Sequence, residues 1–119
     1  MIYIASPYTH EVPAIVEARF QQVTKYAAGL VKQGKTAISP ITYGHTLLGF
    51  EDMPTDWLFW RSFCLQILLR CTEVHVLMLP GWDESRGIAA ELEIAMLAGI
   101  PIVYIDPVTH QPATDFAHV

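Results

Sequence analysis

The stretch Gly81–Pro101, GWDESRGIAAELEIAMLAGIP, keeps two carboxylates, Glu91 and Glu93, in a run that is otherwise apolar from Gly87 onward. It follows a polar turn holding Asp83, Glu84 and Ser85. Ser85 is positioned to cap the helix that the run predicts, and Gly87 to let a ligand approach free backbone N–H groups. Those groups and the helix dipole favour an anion. Glu91 lies six residues beyond Ser85, about 9 Å along a helix axis at ~1.5 Å per residue. That offset is comparable to the reach from a 5′-phosphate to the anomeric carbon of a ribose. A glutamate held partly out of water there could attack an anomeric carbon and divide one difficult N-glycosidic cleavage into two steps. The plainer alternatives are a Ser85 that only caps, a Gly87 that only packs and a Glu91 in an ordinary helix salt bridge.

Helical periodicity does not decide which carboxylate is buried, because Glu91 falls between Ala95 and Ala98 and Glu93 between Ala89 and Leu97 on the wheel. Spacing selects Glu91, one turn beyond Gly87; Glu93 is expected in solvent or between subunits. Asp83, in the same turn, joins Ser85 and Gly87 as a candidate substrate contact. In the loop after the first strand, Ser6, Pro7 and Tyr8 are candidates as well, Tyr8 through its ring or hydroxyl, the alternative being a tyrosine that merely packs the loop. His45, expected in the loop after the second strand, is a further candidate, whereas His75 in the third strand reads as a satisfied core histidine.

The histidines at 10, 45, 75, 110 and 118 show no metal-ligand spacing, and Cys64 and Cys71 form no CxxC pair, so no metal is expected. No cofactor is expected either: there is no GxxxxGK[ST] and no GxGxxG after MIYIA. GxSxG is also missing. In one predicted helix the two cysteines stand about 10.5 Å apart at ~1.5 Å per residue, too far for a disulfide.

These residues need elements to hold them. MIYIA is a buried first strand running into the turn SPYTH, and Pro13 opens a helix whose apolar residues recur at helical spacing until Gly34. KTAISP is a second short strand closed by Pro40. The segment Ile41–Pro54 reads as a long loop with at most one helical turn. Thr55 is a candidate N-cap for a helix from Trp57 to Cys71, Val74–Leu79 is a third strand, a helix follows from about Ser85 to Ala98 with a Gly99 stop, and Pro101–Ile105 is the last strand. The tail from Asp106 to Val119 reads as irregular. Strands apolar on both faces, alternating with helices, imply a parallel sheet covered on both sides, with ligands at the carboxyl ends of the strands.

The composition narrows the partners. At 119 residues the chain suits one domain with a sizeable core. Hydrophobic residues at 52% against 16% charged ones leave little polar surface for an exposed monomer, so a homo-oligomer is expected. A net charge of −5 without a basic cluster argues against nucleic acid polymers as partners. With no leader-like start and no span of roughly 18 apolar residues, the protein is expected to be cytoplasmic and not bound to membranes.

The combination of IYIASPY, a middle SP after the second strand and LPGWDESRGIAAELEIAMLAGIPI resembles the nucleoside 2-deoxyribosyltransferase family and its relatives, the 2′-deoxynucleoside 5′-phosphate N-hydrolases. The similarity covers most of Met1–Ile105 and is specific in the first-strand loop and in the Ser-x-Gly-x-x-x-Glu-Leu segment. It implies a flavodoxin-like three-layer α/β sandwich with four or five parallel strands over a single domain, 1–119. It further implies a nucleoside or nucleotide as the small-molecule partner, Glu91 as nucleophile, Ser85 and Gly87 as the phosphate-side or sugar-side turn, Ser6–Tyr8 as the ligand loop, and oligomers whose sites are completed by a neighbouring chain. One departure stands out: where the relatives carry an Asp-Leu pair aimed at the sugar, this chain has Cys64-Leu65. Two functions stay open at this point, N-glycosidic cleavage or transfer, and a non-catalytic nucleotide- or nucleotide-sugar-binding module on the same fold.

Overall fold

The computed structural model describes residues 1–113; the part of the expected irregular tail over 114–119 lies outside them. The apolar runs form four strands, β1 (Ile2–Ala5), β2 (Ala37–Ile38), β3 (Glu73–Leu77) and β4 (Ile102–Ile105). Their order is β2-β1-β3-β4 and every pairing is parallel, with Tyr3 opposite Ile38 on one side and Val74 on the other. Successive strand residues point to opposite faces, and both faces are covered. Tyr3, Ala5, Val74 and Val76 pack with α3 (Trp57–Leu68) and α4 (Arg86–Leu97). Ile2, Ile4 and Leu77 pack with Val23, Tyr26 and Leu30 of α1 (Pro13–Lys32). This is the three-layer α/β sandwich, with four strands. His75 is satisfied in the α1 layer, bonded to the Tyr26 hydroxyl at 2.6 Å and to Glu73 at 2.7 Å.

The segment after β2 corrects the expectation of a long loop. Nine residues of it form α2 (Pro40–Leu48). The cause is visible in the SP pair: the Ser39 side chain accepts from the Thr42 N–H at 3.1 Å, and Pro40 occupies the first helical turn, where its missing N–H costs nothing. Gly44, inside this helix, packs against the Trp60 ring, which a Cβ would touch in ordinary contact at 3.4 Å. The third helix is also shorter than expected. Asp56, not Thr55, occupies its N-cap, and it ends at Leu68, so Cys71 lies beyond it. Both cysteines are free and buried. Glu93 is exposed on α4, and the buried side of that helix consists of Ile88, Glu91 and Ala95.

Candidate active site

The carboxyl ends of β1 and β3, the two central strands, open into a cavity of about 500 Å³, within the range of small-molecule sites. Its walls come from the loop after β1, from α2, from the start of α3 and from the turn that leads into α4.

That turn begins at Gly81, whose φ of 94° is left-handed and where a Cβ would stand 2.6 Å from Nη2 of Arg19, so the guanidinium would have to shift. The left-handed backbone favours glycine there. Arg19, on α1, donates from Nη1 to the Thr9 carbonyl at 2.8 Å and from Nη2 to the Pro80 carbonyl at 2.9 Å. One guanidinium thus holds the loop after β1 against the turn after β3. The chain then makes a single 3₁₀ turn, Trp82–Glu84, and Ser85 caps α4 by accepting from the Ile88 N–H at 3.2 Å. The first N–H groups of α4 have no acceptor within the helix. Gly87 packs closely: a Cβ there would lie 3.3 Å from the Trp57 ring, which also lines the cavity.

Glu91 lies on the cavity wall with only 7% of its surface exposed. The Tyr3 hydroxyl donates to its Oε2. Burial pushes the carboxyl up to about 7, while the Tyr3 hydrogen bond pulls the other way. Two opposed causes therefore leave this carboxylate poised near neutrality, and desolvation wins. Cys64, also on the wall, is pushed up to about 12 by burial and then by the Glu91 charge, with the nearby Tyr3 hydroxyl pulling the other way, so its thiol is neutral. Burial comes first among the causes that hold the Tyr3 phenol well above its ordinary value.

Ser6, Tyr8, His45, Ser85, Gly87 and Glu91 all line the one cavity. The Ser6 hydroxyl is buried and has no hydrogen-bond partner among the described residues. The remaining two candidates stand elsewhere: Pro7 is fully buried in the packing and Asp83 is exposed, neither of them on the lining. Sequence reasoning missed Tyr3, hidden in an apolar strand, as well as Trp57 and Trp60, which looked like core residues, and Arg19 and Arg86, which bring positive charge to the lining. Among the described residues no three His, Cys, Asp or Glu side chains group as metal ligands would.

The family profile described as Domain of unknown function (DUF1937) matches residues 1–107. The chain belongs to that family. No curated protein sequence matches it. Among solved structures, a 2-deoxyribosyltransferase from the psychrotolerant bacterium Bacillus psychrosaccharolyticus is similar, with a TM-score of 0.62 and 21% identity over 98% of this chain and 80% of that one. At that identity the likeness is one of fold, and it makes this DUF1937 chain flavodoxin-like in architecture. Within that fold the cavity of the DUF1937 chain offers the buried Glu91 carboxylate, the rings of Tyr8, Trp57 and Trp60, a helix N-terminus, two further acidic residues, Asp56 and Glu84, and two arginines, Arg19 and Arg86. The rings suit a small molecule with a flat group. Among the described residues no helix is long and apolar enough to cross a membrane.

Proposed function

We propose that this protein cleaves or transfers the N-glycosidic bond of a nucleoside or nucleoside 5′-monophosphate, with Glu91 as the nucleophile at C1′. The observation that carries this reading is a buried carboxylate, held by the Tyr3 hydroxyl, on the wall of a cavity whose other end is the capped N-terminus of the same helix. The ring of Trp57 or Trp60 can stack on a base, Ser6 can bond a sugar hydroxyl, and the start of α4 with Ser85 and Arg86 can hold a phosphate. The resemblance to deoxyribosyltransferases supports the same assignment. The deciding experiment is incubation with ribo- and 2′-deoxynucleosides, with and without a 5′-phosphate, and detection of free base. No release from any of them removes the enzymatic reading.

The Cys64 thiol beside Glu91 supports a second reading, a nucleotide-binding module without turnover, because a neutral thiol cannot do the work of a second carboxylate. Binding by calorimetry without base release favours it.

Ser85→Ala separates phosphate binding from helix capping. Cap loss alone costs about 1 kcal/mol of stability and affects every ligand alike. A buried phosphate would lose a further 1–3 kcal/mol or so of binding with the hydroxyl donor. The expected result is a weaker affinity for the 5′-monophosphate than for the matching nucleoside, relative to wild type; equal losses on both would remove the phosphate role. A homo-oligomer is part of the proposal too, since Leu58 and Phe59 of α3 and Met96 and Leu97 of α4 remain exposed. A monomer in sedimentation at micromolar concentration would exclude it.

A further inference from the structure

One wall of the cavity carries a hydrogen-bonded chain that the nucleophile does not use. The Tyr8 hydroxyl lies 2.7 Å from Nδ1 of His45, and Nε2 of His45 lies 3.1 Å from Oε2 of Glu17. Tyr8 and His45 line the cavity, whereas Glu17 does not; its side chain is largely in solvent on α1. The imidazole is fixed in plane as well: Phe20 stacks on it with ring centroids 4.0 Å apart and an interplanar angle of 27°. The groups packed around the ring are therefore Tyr8 from the loop after β1, and Glu17 and Phe20 from α1.

The chain has two states that differ in what it presents to the cavity. With Glu17 accepting from Nε2–H, a neutral ring has a bare Nδ1, which accepts from the Tyr8 O–H and leaves the phenol oxygen as an acceptor. A doubly protonated ring donates from Nδ1–H to the phenol oxygen and turns the Tyr8 O–H toward the cavity as a donor. Burial and the Glu17 charge push the Tyr8 phenol above its ordinary value, so it passes protons on without itself staying ionised.

Topology sets where a ligand would meet this chain. β2 and β3 flank β1 on opposite sides; α2 follows β2 directly, and the turn before α4 follows β3. A nucleotide anchored by its 5′ end at that turn extends past the end of β1 toward α2, which carries His45. C1′ and the base lie at the far end of the sugar from C5′, so the base is the part that reaches the Tyr8 wall.

We infer that Tyr8 and His45, with Glu17 as a positioning residue, form the proton relay that serves the leaving base and then the acceptor. This rests on the glycosidic reading of the cavity. In the first step a Glu91 oxygen forms a bond to C1′, the C1′–N bond breaks and its electron pair stays on the base. A basic nitrogen of the base takes the Tyr8 proton, and Tyr8 takes the Nδ1 proton from the imidazolium. The relay is then in its neutral state. In the second step water attacks C1′ and releases Glu91; the water's proton goes to the Tyr8 oxygen, whose own proton returns to Nδ1. The sum is base plus free sugar, with every proton restored.

The test compares single-turnover base release from a purine nucleoside and from its N7-methylated form, whose base already carries a positive charge and departs neutral without taking a proton. Tyr8→Phe and His45→Gln should slow release from the parent by on the order of 10²-fold or more, and release from the methylated form by no more than a few-fold. Glu17→Gln, at a solvent-exposed position, should give a smaller loss with the same dependence on the leaving group. If the variants lose equally on both substrates, or on neither, while wild type remains active, the relay is wrong and the nucleophile assignment stands. If wild type releases base from neither, the glycosidic reading falls and takes the relay with it.

Discussion

Glu91→Gln should still bind ligand and should lose base release by on the order of 10³-fold or more, because an amide keeps the shape of the side chain but cannot form a glycosyl ester. The structure makes this substitution cleaner than most. The Tyr3 hydroxyl that donates to the Glu91 carboxylate can donate equally to the Gln carbonyl oxygen, so the side chain keeps its anchor. Calorimetry should therefore give an affinity within a few-fold of wild type, and single-turnover release should be at background. Unchanged release would end the nucleophile role and turn the search to Asp56, which also lines the cavity.

The second large effect is on pH. With the Glu91 carboxyl pushed up to about 7 by burial, kcat/KM should fall tenfold per unit on the acid side, reaching about a hundredth of its plateau at pH 5. Tyr3→Phe removes the donor that favours the charged form. The midpoint of that limb should then move up by about one to two pH units, the equivalent of a hydrogen bond to a charged group. A limb that stays in place in Tyr3→Phe would mean that another group controls it.

The same shift has a signature in stability, and its sign is opposite to that of a salt-bridged carboxylate. Between the ordinary glutamate value and about 7, the folded state holds a proton that the unfolded chain has released. The Glu91 contribution is thus most favourable at low pH and is lost as pH rises through about 7, by on the order of 3 kcal/mol in all. Glu91→Gln should flatten that part of the profile and melt at a higher temperature than wild type at pH 8. A carboxylate that destabilises its own fold when ionised fits a functional more than a structural role.

The legibility of this molecule in its sequence followed its periodicities. The strands and the two long amphipathic segments stood out because burial on both faces of a parallel sheet leaves uninterrupted apolar runs, and because Pro13, Gly34, Ser85 and Gly99 punctuate the helices. α2 was missed because Gly44 and Gly49 look like loop residues; Gly44 in fact packs against Trp60, a contact between helices that no local pattern encodes. In the site, Ser85 as a cap and Glu91 over Glu93 could be argued from spacing along one helix. Tyr3 could not, because its partner is 88 residues away and its hydroxyl hides inside a strand otherwise made of core residues. The same holds for Glu17, an ordinary helix-surface carboxylate until α2 brings His45 to it. Tyr8 and His45 were each visible as single polar residues, and only the tertiary fold makes a chain of them.

Cys64 carries a consequence for handling the protein. A thiol held at about 12 is ionised at neutral pH in about one molecule in 10⁵, and it is the thiolate that reacts with alkylating agents, disulfides and peroxides. Cys71, the second cysteine, is likewise pushed up by burial and shares its Sγ hydrogen with the Ile67 carbonyl at 3.3 Å. Both thiols are thus slow to react at neutral pH, and labelling by thiol-directed reagents is expected to follow the opening of the fold more than the occupancy of the site.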